Sequence, residues 1–230
     1  MIGLNLLAGG ASTTADRFYG VTIGIVTNNK DDEMKIGRVK VKLPWLSETD
    51  ESNWARVVSP MAGADRGLYF LPEVGDEVLV AFEHGDIQFP YILGGLWNGK
   101  DKPHISNSDG KNNVREIRSR TGHAITLDDT QGEEKITIST KEGKNALVID
   151  ASQNTIQITV EKDFTIQAKG NINLKSSGGD VAIECQNFSV DAQQNATIKA
   201  NSNSSIEAQT GIAIKCMAGV KINDGALEVT

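Results

Sequence analysis

Large aromatic rings are scarce in this chain of 230 residues: Phe, Tyr and Trp make up only 5% of it, with three Trp and three Tyr. Proline is also rare, at five residues, and neither Pro, Trp nor Tyr occurs between Val114 and Thr230. A core without big rings must be built from small and β-branched side chains, which suits many short stacked strands and disfavours long helices. The two cysteines, Cys185 and Cys216, have no neighbour at metal-ligand spacing. The three histidines are scattered at 84, 104 and 123, so neither a zinc site nor a disulfide framework is indicated. Positive charge is in deficit too: the formal net charge is −7, which repels phosphate backbones and makes nucleic acid a poor partner. Met1 to Ala11 is mildly apolar but lacks a basic n-region and is too short to span a bilayer, so neither a signal peptide nor an anchor is expected there.

What is present is alternation. From Val21 to about Trp97, short apolar and polar runs are broken by Gly, Pro, Asn and Asp. In Arg38–Leu43, Val39, Val41 and Leu43 share one face while Arg38, Lys40 and Lys42 share the other, and Pro44 ends the run. Glu77–Phe82 is apolar at nearly every position, as expected of a strand covered on both sides, and His84-Gly85-Asp86 reads as the turn after it. Four or five such strands fit a five-stranded Greek-key barrel of the OB type, although periodicity does not separate that from another small barrel. Residues 98–113 hold almost nothing that can be buried and read as a linker.

Beyond the linker, apolar pairs or triplets at i, i+2, i+4 recur about every eight residues. The second apolar positions are Ile158, Ile166, Leu174, Ile183, Val190, Ile198, Ile206, Ile214, Ile222 and Val229, with steps of 8, 8, 9, 7, 8, 8, 8, 8 and 7. Turn formers stand between them, among them Gly170-Asn171, Gly178-Gly179-Asp180, Gly211 and Gly219. One octad is a short strand plus a corner, and eight residues are too few to circle a core alone, since a solenoid coil takes roughly twenty. Three chains wound about one axis solve this, each giving one face per layer. The spacing therefore predicts an intertwined homotrimeric, triple-stranded β-helix on the order of 50 Å long. Its core is assigned to Ile158 through Ile222 of that series, with Ala168, Cys185, Ala192, Ala200, Ala208 and Cys216 packed near the axis as small hydrophobes. The domain plan is thus an N-terminal extension at 1–17, an OB barrel at 18–98, a linker or neck at 99–134 and a needle at 135–230.

Several segments follow a known order: Tyr19-Gly20-Val21, Ile36-Gly37-Arg38-Val39-Lys40-Val41, Leu43-Pro44-Trp45-Leu46, Trp54-Ala55-Arg56-Val57, Phe70–Val80 and Gly94–Asn98. Together they resemble the OB domain of contractile-tail spikes, namely phage baseplate protein V and the VgrG proteins of type VI secretion. Arg118–Thr130 is similar to the VgrG segment that leads into the β-helix. The resemblance implies the central spike of a contractile injection machine, driven through a target envelope when the sheath contracts. It also implies a hub protein at the N-terminal end, a small PAAR-like tip protein at the C-terminal end, and transient contact with the target membrane. The large hub region of full-length VgrG is expected to be a separate protein here, and assembly is expected in the cytoplasm. A needle with open strand edges needs a cap, so the tip protein is expected to dock near Leu227 and Val229. No metal-bearing tip motif or lysozyme domain is matched, and the resemblance implies no cofactor.

Enzyme-like patterns have plainer readings. Asp128-Asp129 and Glu133-Glu134 read as solvated corners rather than a glycosidase pair, and His123 as a hydrogen-bonded residue at a strand start. Gly63-Ala64-Asp65-Arg66-Gly67 lacks the Lys-Ser/Thr of a phosphate loop. The basic strip Arg38, Lys40 and Lys42 is bounded by acids on both sides, which weakens it as a nucleic-acid site. The rival class is a trimeric carbohydrate-binding tail fibre or adhesin. It is disfavoured because the only aromatics after Trp97, Phe164 and Phe188, sit at inward octad positions.

Overall fold

The computed structural model describes residues 17–219 and divides the chain into two units, with the boundary between Phe164 and Thr165. Among the described residues there is no α-helix, hence none that is long and apolar enough to cross a membrane. The expected sites Ile222, Leu227 and Val229 lie outside the described residues.

In the first unit, seven short strands build the barrel region: β1 (Val21–Asn28), β2 (Lys40–Lys42), β3 (Arg56–Val57), β4 (Ala62–Gly63), β5 (Arg66–Gly67), β6 (Glu77–Phe82) and β7 (Pro90–Gly95). Five form one curled sheet in the order β2-β1-β6-β7-β3; β3 runs parallel to β7, and the other neighbours are antiparallel. Its two edges meet where Val39 and Ala55 exchange both backbone hydrogen bonds, 3.0 and 2.7 Å long, so the sheet curls back on itself as an OB barrel does. Strands β4 and β5 form a separate tight hairpin across Gly63–Arg66, with Asp65 at φ 54°.

Alternation decides which side chains fill the barrel. Val39, Val41, Leu43, Val78, Val80 and Phe82 are buried together with Val26, Ala55 and Ile92, forming one core inside a single chain. Each Val, Leu, Ile or Phe side chain among them contributes about 1.5–3 kcal/mol when fully buried. Gly24 faces inward on β1; a Cβ there would stand 2.9 Å from Val80 Cγ2 and 3.2 Å from Val41 Cβ, so the tight curl requires its missing side chain. Strand β6 departs from its expected cover on both sides. Val78, Val80 and Phe82 are buried, whereas Glu77, Leu79 and Ala81 on the outer face are only half-buried.

The β1–β2 loop is held by one carboxylate. Asp32 accepts hydrogen bonds from the N–H groups of Met34, Ile36 and Arg38, and from Arg38 Nε (2.9 Å) and Nη2 (2.6 Å). The Arg38 hydrogen bonds and these amides hold its pKa well below the ordinary carboxylate range.

After the linker the chain builds a second sheet from β8 (Val114–Arg118), β9 (Ala124–Asp128), β10 (Lys135–Ser139), β11 (Ala146–Asp150) and β12 (Thr155–Thr159). They are neighbours in sequence order and all antiparallel, a meander. Residues with positive φ, Gly122, Gly132, Gly143 and Asn154, mark the four reversals. The stretch expected as neck thus carries β8 and β9, and the stretch from 135 opens with three hairpin-linked strands rather than with octads. Arg120, in the β8–β9 turn, reaches Glu73 of the barrel at 2.7 Å.

The second unit, from Thr165 onward, contains no strand among its described residues. Its octad side chains stand open: Ile166 is 61% exposed, Leu174 76%, Ile183 67% and Ile198 88%. Val190, Ile206 and Ile214 are equally exposed, as are both cysteines. Within one chain the expected burial of Cys185 and Cys216 is therefore not met, because an octad strand has no neighbouring strand of its own to pack on.

Candidate functional site

The meander places its side chains in straight rows across all five strands. Register pairs Ile117 with Ile125, Ile125 with Ile138, Ile138 with Leu147 and Leu147 with Ile158. A second row on the same face runs Arg115, Leu127, Ile136, Ile149 and Ile156. Nine of these ten positions are apolar. They are also open: exposures run from 38% at Ile149 to 71% at Ile156, with only Leu147 more covered.

The opposite face is polar. Its rows are Glu116, Thr126, Thr137, Val148 and Gln157, and Val114, Asp128, Lys135, Asp150 and Thr155. Thr126 Oγ1 donates to Glu116 Oε2 at 3.1 Å, and Lys135 stands between Asp128 and Asp150. The Thr130 hydroxyl, donating at 2.6 Å, lowers the pKa of Asp128, and the Ser152 hydroxyl at 2.7 Å does the same for Asp150. This face is half-covered over β8–β11, while the other exposes a continuous apolar surface of the kind that marks an interface.

The needle series expected from sequence divides accordingly. Ile158 sits at the end of a meander row, in β12. Ile166, Leu174, Ile183, Val190, Ile198, Ile206 and Ile214 lie in the second unit, where the chain brings no two of them together in a strand pair. Sequence reasoning missed the pairs Ile125/Leu127, Ile136/Ile138 and Leu147/Ile149 as part of the same surface. Their signal was present, since these pairs and Ile156/Ile158 recur in steps of 11, 11 and 9 residues.

Groups with chemical potential are engaged locally. The His123 N–H donates to Ser119 Oγ at 3.0 Å, and its Nδ1 accepts from the Lys141 N–H at 3.3 Å. Asp129 pairs with Arg115, and Glu134 accepts from the Gly132 N–H, within or beside the β9–β10 turn. On the barrel, Arg38 pairs with Asp32 and Lys40 with Glu51, and both cations lie over the Trp54 ring. A hollow of about 340 Å³ beside the β4–β5 hairpin is lined by Val57, Met61, Leu68, Phe70 and Leu71 and offers one charged group, Arg66. Among the described residues no three His, Cys, Asp or Glu side chains converge as a metal centre.

Comparison with known proteins agrees with this geometry. Residues 22–97 match the type VI secretion system/phage-baseplate injector OB domain. The type VI secretion system spike protein VgrG2a of Pseudomonas aeruginosa is 31% identical over 142 residues, covering 57% of this chain and 17% of that protein. The spike protein VgrG3 of Vibrio cholerae is 29% identical over 140 residues, covering 56% and 14%. A protein named actin cross-linking toxin VgrG1, also from Vibrio cholerae, is 28% identical over 142 residues, covering 60% and 12%. The chain spans less than a fifth of the length of these relatives. Residues 22–97 thus carry the type VI secretion system/phage-baseplate injector OB domain, and the chain is similar to VgrG spike proteins over more than half of its length.

Proposed function

We propose that this chain is the central spike of a contractile injection system, a structural and non-enzymatic homotrimer that crosses a target envelope when the sheath contracts. The observation that carries this reading is the exposed apolar face of β8–β12, which follows directly on an injector OB domain. A five-stranded sheet with one bare apolar face is incomplete, and three copies turned toward a common axis would bury all three faces at once. In a trimer the octads from residue 165 would supply one strand each per layer and satisfy backbone groups that one chain leaves without strand partners. The octads would then form a triple-stranded β-helix with Ile166 through Ile214 in its core.

In this reading the barrel seats on a separate hub protein. A PAAR-like tip protein closes the far end near Leu227 and Val229, the trimer assembles in the cytoplasm, and contact with the target membrane is brief. Rigidity under load follows from intertwining, since three wrapped chains separate only by losing every layer together.

Light scattering on the purified protein tests the reading. The expected mass is three times 24.7 kDa, about 74 kDa, persisting in detergent without boiling. A monomer of 24.7 kDa would overturn it. Ile198→Asp, which places three carboxylates around one axis, is expected to abolish the trimer; a heat-stable trimeric mutant would remove Ile198 from the core.

A further inference from the structure

Charge in the second unit is confined almost entirely to one octad position. Between Thr165 and Gly219 the chain carries eight charged side chains, and six of them directly follow the second apolar residue of an octad: Lys175, Glu184, Asp191, Lys199, Glu207 and Lys215. Lys169 and Asp180 are the other two. In a strand that position points away from the apolar face, because successive side chains alternate. Solubility alone does not explain the choice. The other outward position, just before the second apolar residue, serves water equally well, yet it holds Asn173, Ala182, Ser189, Thr197, Ser205 and Ala213 and no charge. All six charged side chains are exposed, and among the described residues none makes an ion pair. Their one side-chain hydrogen bond is from the Ser205 hydroxyl to Glu207, at 3.2 Å.

We propose that these six side chains form a ladder of charges between chains that fixes the register in which three copies of this chain wind together. The proposal rests on the trimeric reading above and adds what selects one alignment of the octads over another. A threefold axis puts the same octad of each chain at one height on three different faces, and each chain moves on by one face per octad. On any one face, the strand stacked on octad n of one chain is therefore octad n+1 of its neighbour, parallel to it and about 4.7 Å away. Equivalent octad positions stand in one column, where opposite charges on adjacent strands attract and like charges repel.

Read up that column, the side chains are Lys, Glu, Asp, Lys, Glu and Lys. Four of the five contacts join unlike charges: Lys175–Glu184, Asp191–Lys199, Lys199–Glu207 and Glu207–Lys215. Only Glu184–Asp191 joins like ones. A chain slipped by one octad loses this order on both sides. It meets one neighbour n against n+2, which sets Asp191 against Glu207 and Lys199 against Lys215, and meets the other n against n, where every contact joins like charges. The apolar series makes no such distinction, since Ile166, Ile183, Ile198, Ile206 and Ile214 offer the same side chain in most layers, and a slipped chain buries almost as much. Register is then specified from the outside of the needle, by repulsion in the wrong alignments as much as by attraction in the right one.

The test uses the full chain, with trimer mass followed by light scattering during exposure to urea at about 50 mM and about 500 mM salt, which brackets weak and strong screening. Lys199→Glu with Lys215→Glu turns the last four charges of the column into four acids. This form should lose trimer mass about tenfold faster than the unaltered protein at low salt, and the gap should narrow at high salt. Asp191→Lys, Lys199→Glu, Glu207→Lys and Lys215→Glu together rebuild an alternating column at unchanged net charge. That form should stay within about threefold of the unaltered rate. Lys100→Glu with Lys102→Glu, in the exposed linker, changes net charge as much as the two-site form but outside the ladder, and should also stay within about threefold. If the two-site form is no faster than the linker control, the ladder is overturned while the trimer stands. If the four-site form is as fast as the two-site form, or neither assembles, the charges do not act as pairs and the ladder is again overturned. If the unaltered protein is monomeric, the trimer and the ladder both fall. Tryptophan melts of the barrel in the same samples separate lost assembly from lost folding.

Discussion

Asp32 shows how much one side chain can organise. Its carboxylate accepts from three amides and the Arg38 guanidinium, and its pKa lies well below the ordinary value of 3.8. A carboxylate whose folded pKa is depressed gives stability that is complete above the unfolded pKa and is lost as the pH falls toward the folded value. The barrel is therefore expected to lose stability below about pH 4, and Asp32→Asn to flatten that loss while lowering the thermal midpoint at pH 7 by a few degrees. Thermal melts of both forms between pH 2 and pH 7 check this. An unchanged acid profile in the mutant would free Asp32 from the role. Gly24 is the second sensitive position: Gly24→Val drives branched carbons into Val80 and Val41 and should destabilise the barrel by about 1–3 kcal/mol. Denaturant midpoints measure it directly.

At the scale of elements, strand β2 was legible because strict alternation has one meaning when one face is buried, and strand β6 because a short, nearly continuous apolar run ended by a turn reads as a strand. Val39, Val41 and Leu43, and Val78, Val80 and Phe82, all lie inside. The outer face of β6 misled, because Leu79 and Ala81 look buried in sequence while the folded chain covers them only by half. The meander was hidden for a different reason. Its strands are as short as octad strands and carry the same apolar pairs, so composition blends one into the other. What separates them is the left-handed residue at each reversal, Gly122, Gly132, Gly143 and Asn154, spaced 10 to 11 residues apart rather than eight. The octads were legible as a period but not as contacts, since the single chain pairs none of them in a strand. Ile138→Asp, in the middle of an apolar row, should stop trimer formation while leaving the barrel folded. Light scattering beside a tryptophan fluorescence melt, whose signal comes from Trp45, Trp54 and Trp97 in and beside the barrel, reads both effects at once.

Taken whole, the molecule has two kinds of stability. The barrel core closes within one chain: Val39, Val41, Ala55, Val78, Val80 and Ile92 are 0% exposed without any partner. The sheet from 114 and the octads from 165 have no such closure. Heating is accordingly expected to give two separate transitions, an early reversible one from the barrel and a late, scan-rate-dependent one from the trimer. Calorimetry at two scan rates distinguishes them, and a single rate-independent transition would mean that barrel and trimer unfold as one.

The same division has a temporal side. In the proposed trimer, the ribosome finishes the self-sufficient barrel first and then releases more than a hundred residues whose apolar rows would be covered by two further chains. Maturation would then be an encounter among nascent products, with a rate that climbs steeply with their local abundance. Neighbouring polypeptides on one messenger would meet soonest. Under sparse expression the waiting strands are open to chaperones, proteases and mispairing, so the yield of intact spike should depend more sharply on synthesis rate than on the melting point of the finished particle.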